Sequence, residues 1–397
     1  MSATSERVTT AISDQELERR WQAARNEMRE RKIEALVMQN SNDWLGGYVK
    51  WFTDVPATNG YPKTVIFHAG DPMTLIEMGG FGVVRKLRGA DPVHRGIDEV
   101  IGSPSFFAVN YTDNYHADCT LDVLRKRGYR TIGLLGPGSM PHAFVTRLKD
   151  GLGGSTFLDV TEFIDRLKAI KSDEEIGLIR RCAEMQDKVF ANVAKTIKPG
   201  MTDNDVTALA EHAGRVLGSE QGIFLGSSAP VGQPARFAQR HFQGRTLKQG
   251  DHLVLLIENN GPGGYFAEIA RTLVLGKASN ELIDGFEAMK EAQDYTLSLM
   301  KPGGSCRDIA NAHDAYMKQR GMPPEIRLYA HSQGYDMVER PMLRADETMP
   351  LEAGMNFAVH PGYETSSMWM TVCDNYMVEA DGVSECLHKT EKRIFEV

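Results

Sequence analysis

The chain lacks several features that would assign it quickly. No apolar run approaches the ~20 residues needed to cross a bilayer, and the opening MSATSERVTTAISDQELERR has no apolar leader core. Lysine and arginine never form a block, and the net charge is −8, which argues against nucleic acid as the main partner. The five cysteines, at 119, 182, 306, 373 and 386, are odd in number, dispersed and without CxxC spacing. They read as reduced thiols of a cytoplasmic protein, which makes the sequon at Asn110 a chance match. No full GxGxxG occurs either. GLLGPGS (133–139) and GGFG (79–82) are Gly-rich but lack a placed acidic partner, so each reads as a plain turn.

What is present describes an α/β protein of two domains, since 397 residues exceed one ordinary core. Ser13-x-x-Glu16 has the form of a capping box, and Leu17, Trp21, Ala24 and Met28 follow at helical spacing, predicting a helix over 14–31. Short apolar runs (EALVMQN, KTVIFHAG, PMTLIEM, RTIGLLG) then alternate with helical stretches. A second box, Ser172 to Glu175, opens a long amphipathic helix that Pro199-Gly200 stops. Further helices are expected from Thr202 to Val216 and over 279–300 and 305–320. The division is placed at 1–167 and 168–397.

Chemistry-bearing residues gather in the second half. IENNGPGGYFAEIART (257–272) joins two apolar runs and carries Glu258 and Glu268, two acids where strand cores normally exclude charge. A turn centred on Gly263 would set them opposite each other, and two such carboxylates repel unless a cation, a proton or a donor lies between them. His331 in YAHSQGYDMVERP, His360 in NFAVHPGY and Cys373 in MTVCDNYMV each sit near a strand. Any one of them alone is more often structural, but together with the two acids they describe a polar pocket built on a sheet.

These segments carry a resemblance. AIKSDEEIGLIRRC, LKQGDHLVLL, GGYFAEIARTLVLG, AHSQGYDMVERP, LEAGMNFAVHPGY and CDNYMVEADG together resemble the pita-bread superfamily of methionine aminopeptidase, prolidase and creatinase. The likeness covers nearly the whole chain and implies an N-terminal creatinase-type α/β domain followed by a pita-bread catalytic domain. In the metallopeptidase members, two Asp, one His and two Glu hold two metal ions. Laid on this chain, those positions fall on Ile257, Glu268, His331, His360 and Cys373. Only the His is unchanged. An imidazole nitrogen binds one metal where a carboxylate bridges two, so the two-metal centre is not expected.

The resemblance therefore leans toward creatinase, which works without metal. It implies a hydrolase of a non-peptide C–N bond in a small molecule, with no cofactor. His331 or His241 would shuttle the proton, Glu268 would anchor the substrate, and Glu339 and His360 would complete the polar wall. Tyr265 and Tyr335 would shape the pocket. Trp51 and Tyr61 would join them from the partner subunit of a homodimer, where Asn59 stands in place of an anchoring Arg. The alternative is a lyase of the dimethylsulfoniopropionate type, or a hydrolase, with a single divalent metal (Zn, Fe or Mn) on some of Glu258, Glu268, His331, His360 and Cys373. An Xaa-Pro peptidase comes third, and a Cys373 thiolate nucleophile ranks below the first two. A binding module that has lost catalysis is disfavoured because the pocket positions keep functional side chains.

Overall fold

A computed structural model describes residues 10–42, 44–45 and 47–397. The first nine residues, part of the stretch searched for a leader, lie outside the described ones. Two compact units meet between Lys168 and Ala169. No helix among the described residues is long and apolar enough to cross a membrane.

The first unit contains α1 (Asp14–Glu30), β1 (Ala35–Asn40), α2 (Tyr48–Thr53), β2 (Lys63–His68), β3 (Met73–Met78), β4 (Val84–Lys86) and β5 (Ile97–Ser103). It continues with α3 (Asp113–Arg127), β6 (Thr131–Leu135), α4 (His142–Gly151), β7 (Thr156–Asp159) and α5 (Thr161–Ala169). Seven strands form one mixed sheet in the order β4-β5-β3-β2-β1-β6-β7. Val37, Ile66 and Ile132 pack with Leu121, Leu124 and Phe144 from α3 and α4. The Ser13 hydroxyl accepts from Glu16 N, as a cap should. The Glu16 carboxylate, however, pairs with Arg19 and the fully buried Arg20. A buried guanidinium needs a counter-charge, and here it takes the carboxylate expected to close the box.

The second unit begins with α6 (Asp173–Thr196) and α7 (Asp203–Val216), each opened by a complete capping box, at Ser172/Glu175 and Thr202/Asp205. Then come β8 (Gly222–Ala229), β9 (His252–Asn260), β10 (Phe266–Val274), α8 (Asn280–Leu299) and α9 (Cys306–Gln319). The rest is β11 (Ala330–Ser332), β12 (Glu339–Met342), β13 (Asn356–Val359), β14 (Gly362–Glu364), β15 (Trp369–Thr371), β16 (Asp374–Glu379), β17 (Gly382–Cys386) and β18 (Phe395–Glu396). Two larger sheets result, β18-β10-β9-β8 and β12-β11-β13-β16-β17, with β14 and β15 pairing as a separate ribbon. Ala270 of β10 bridges to Cys373 just before β16, which joins the sheets at their centre. All nine residues of β9 and all nine of β10 are buried. Any charged side chain in these strands must therefore find its partner inside the protein.

Candidate metal centre

The β9–β10 hairpin pairs Glu258 with Glu268 in direct register. Its turn contains Gly263 at φ 89° and Gly264 at φ 83°, a left-handed pair that residues with side chains rarely adopt. Glu268 thus projects from the middle of a buried strand toward β11 and the end of β13. His331 lies on β11, opposite Ala358 of β13, and His360 follows β13 by one residue. His331 Nε2 stands 3.6 Å and His360 Nε2 3.9 Å from Glu268 Oε2. One ligand atom from each of the three side chains lies within 4.8 Å of the other two, and all three residues are buried.

The protonation states suit metal binding. Burial pushes the His360 imidazole down to about 4, so the ring is neutral near pH 7. Its Nε2 is buried without a hydrogen-bond partner, on the side of the ring that faces Glu268. His331 Nδ1 lies 3.2 Å from the Ser332 carbonyl, an acceptor only, so Nδ1 carries the hydrogen and Nε2 is left as the ligand atom. Burial alone would raise the Glu268 carboxyl, but His360, His331 and Cys373 outweigh it and hold it well below the usual range. Its neighbour behaves oppositely: burial, and then the Glu268 charge, push Glu258 well above the usual range. The two facing acids are thus pushed in opposite directions, Glu268 down and Glu258 up. Two imidazoles and one carboxylate are the donors of a catalytic zinc site with an open position, and they fit one divalent ion.

The remaining candidates are placed elsewhere. Cys373 is buried with its thiol turned to the Glu268 carbonyl at 3.5 Å, outside the ligand cluster. Burial pushes that thiol far above its ordinary range, so the thiolate nucleophile considered from the sequence is not supported. Glu339 accepts from the buried Lys171 at 2.7 Å and from the Asp336 backbone at 3.2 Å. That ties it to the frame of the unit instead of the cluster. Tyr265 donates to Glu175 at 2.8 Å and stacks on Tyr335, ring centroids 4.2 Å apart, and both rings are buried. His241 sits exposed on a 3-10 turn, its ring against the exposed Phe242, and is not among the clustered ligands. In the first unit Trp51 is buried beneath Arg20, so it is a core residue rather than a surface that a partner could use. Tyr61 is exposed and packs edge-on against Phe106.

Sequence reading passed over the amides behind the acids. Gln333, Asn356 and Asn375 are fully buried. Gln333 Nε2 donates to Glu258 Oε1 at 2.9 Å, Asn375 Nδ2 donates to Gln333 Oε1 at 2.9 Å, and Glu268 N donates to Asn375 Oδ1 at 2.6 Å. A signal was present: AHSQG and CDNY place amides within otherwise apolar strands.

Residues 177–380, more than half of the chain, match metallopeptidase family M24. The chain belongs to this family, and its two-unit α/β architecture is an N-terminal domain followed by a pita-bread domain. The "Probable dipeptidase PepE" of Mycobacterium tuberculosis is 26% identical over 257 residues, 63% of this chain and 68% of that protein. The "Xaa-Pro dipeptidase" of Pyrococcus furiosus is 24% identical over 268 residues, 66% of this chain and 75% of that protein. In fold, the chain superposes on the X-Pro aminopeptidase of Thermotoga maritima with a TM-score of 0.78 at 18% identity, covering 95% of this chain and 99% of the other.

These likenesses correct the reading made from sequence. The relatives carry peptidase names, so the expected kinship with creatinase-like non-peptidases, and with it hydrolysis of a non-peptide C–N bond, is overturned. The lyase alternative finds no support among them either. The expectation of a metal-free site fails as well, because the family is one of metallopeptidases and a buried Glu/His/His cluster stands where an ion would sit. Substituting ligand positions had suggested loss of metal. The substituted side chain at 360 has instead converged with two others.

Proposed function

We propose that the chain is a metal-dependent peptidase of short peptides, with Xaa-Pro dipeptides as the first candidate substrates. The convergence of one ligand atom each from the buried Glu268, His331 and His360 within 4.8 Å carries this reading. The names of the relatives support the substrate class.

Glu268, His331 and His360 would hold a divalent ion, which would supply Lewis-acid polarisation of a peptide carbonyl and activation of water. The chain's own residues do the rest. His331, locked through Nδ1 to the Ser332 carbonyl, presents Nε2 in one fixed orientation. Glu258 stands directly across the hairpin from Glu268. Gln333 fixes the Glu258 carboxyl in place. The apolar floor, from Leu256, Ala270 and Ala358 with half-buried Ile223, Leu225 and Phe237 beside it, excludes water from the region behind the cluster.

The test is turnover of a panel of Xaa-Pro and other dipeptides by the purified full chain, before and after chelation and after adding back Zn²⁺, Mn²⁺ or Co²⁺. Turnover that chelation abolishes and metal restores is expected. Absence of bound metal under every loading condition, together with no turnover of any dipeptide, would overturn the proposal.

A further inference from the structure

We propose that the centre takes one metal ion and not two, and that Gln333 is the residue that enforces this. The inference rests on the metal reading above and goes beyond it to the number of ions and its cause. The hairpin sets two carboxylates face to face, the arrangement in which a second cation would ordinarily sit. Here amide hydrogens fill the far side of that pair. Gln333 Nε2 donates one hydrogen to Glu258 Oε1 at 2.9 Å and the other to the Met337 carbonyl at 3.0 Å. An ion ligated by that Glu258 oxygen would meet an N–H donor, a like-signed partial charge, in the same space.

The amide cannot simply turn over. Gln333 Oε1 accepts from Asn375 Nδ2 at 2.9 Å, and Asn375 Nδ2 also donates to Asn356 Oδ1 at 3.1 Å. Asn356 Nδ2 closes the ring on the Gln333 carbonyl at 3.1 Å, and Asn375 Oδ1 receives Glu268 N at 2.6 Å. Flipping any one amide would set NH₂ against NH₂ or carbonyl against carbonyl in a fully buried place, at roughly 1–3 kcal/mol per unmet group. Two further positions offer a second ion nothing. Ile257 is apolar and faces Ile269 across the hairpin, while Cys373 Sγ is turned to the Glu268 carbonyl. The three ligands that remain open serve one centre.

Metal stoichiometry tests this without relying on activity. The full chain is stripped, titrated with Co²⁺ under visible absorption and calorimetry, and counted by elemental analysis after desalting. One equivalent is expected. Two equivalents would overturn the inference and leave the metal reading standing, whereas none would overturn both. Gln333→Glu replaces the donor with a second acceptor facing Glu258, and Gln333→Gly removes the donor altogether. A second equivalent is expected in Gln333→Glu, and a weaker one in Gln333→Gly if Gln333→Glu does not fold. A count of one in every folded variant would overturn the role given to Gln333.

Discussion

His360 shares an unpartnered, buried Nε2 with His116 and His313, but it alone of the three stands beside a carboxylate and a second imidazole, 3.9 Å from Glu268 Oε2 and clustered with His331. A metal ion would satisfy it, so truncating it should read directly in metal affinity. His360→Ala and His331→Ala are each expected to weaken Zn²⁺ or Co²⁺ binding at least about 100-fold, beyond the loss typical of an outer partner. Cys373→Ala should leave the stoichiometry unchanged and the affinity far less affected than the histidine variants, because its thiol is not among the clustered ligands. Competition titrations against a chromogenic chelator measure all three variants. Metal loss in Cys373→Ala with retention in His360→Ala would reverse the ligand assignment. Glu268→Gln keeps the shape but drops the charge, and turnover is expected to fall by about 100-fold or more.

Elements explain why some of this was legible in the sequence and some was not. The β9–β10 register followed from a Gly-rich turn between two apolar runs, and the structure places Glu258 and Glu268 opposite each other. The helices after Ser172, Thr202 and Ser279 follow their capping residues. Illegible were facts that depend on which atoms converge from distant strands. Nothing in NFAVHPGY tells whether His360 replaces a carboxylate's role or abandons it. That depends on β11 and β13 lying side by side. Nor does spacing reveal that Glu339 would be consumed by Lys171, 168 residues away along the chain. Sheet packing also yields a stability prediction. A Cβ built at Gly222 would stand 2.2 Å from Asn259 Cβ and 2.5 Å from its Cα, where β8 pairs with β9. Neither atom can withdraw, since Asn259 is held by Gln186 and Ser219. Gly222→Ala is expected to cost about 1–3 kcal/mol or more in urea unfolding. Gly177→Ala, where a Cβ meets nothing, should be neutral or slightly stabilising. Equal stability of the two variants would contradict the close approach of β8 to β9.

For the whole molecule, two properties follow from how each unit treats its surface and its buried histidines. The first unit exposes Phe81 and Val83 just before the edge strand β4 and Val84 as its first residue, followed by the exposed Arg85 and Lys86. Exposed apolar side chains gathered at this end of the sheet are a surface a second copy could cover, so the homodimer expected from the sequence is kept as a proposal. Sedimentation equilibrium should give a dimer that Val84→Lys with Phe81→Ser converts to monomer, and a monomeric wild type at tens of micromolar would sink it. Acid stability is the second property. His68 and His116 in the first unit and His313 in the second are fully or almost fully buried. Burial lowers each imidazole from 6.5 to about 4. Between these values the unfolded chain binds protons that the folded one refuses, so stability falls as pH falls. The contribution is complete above 6.5 and is lost progressively down to about 4, at up to about 1.4 kcal/mol per pH unit for each histidine. Urea unfolding at pH 7.5, 6.0 and 5.0 should show this slope, and His116→Gln or His313→Gln should flatten it by one histidine's share. A slope that neither variant changes would mean that these rings are protonated in the folded protein.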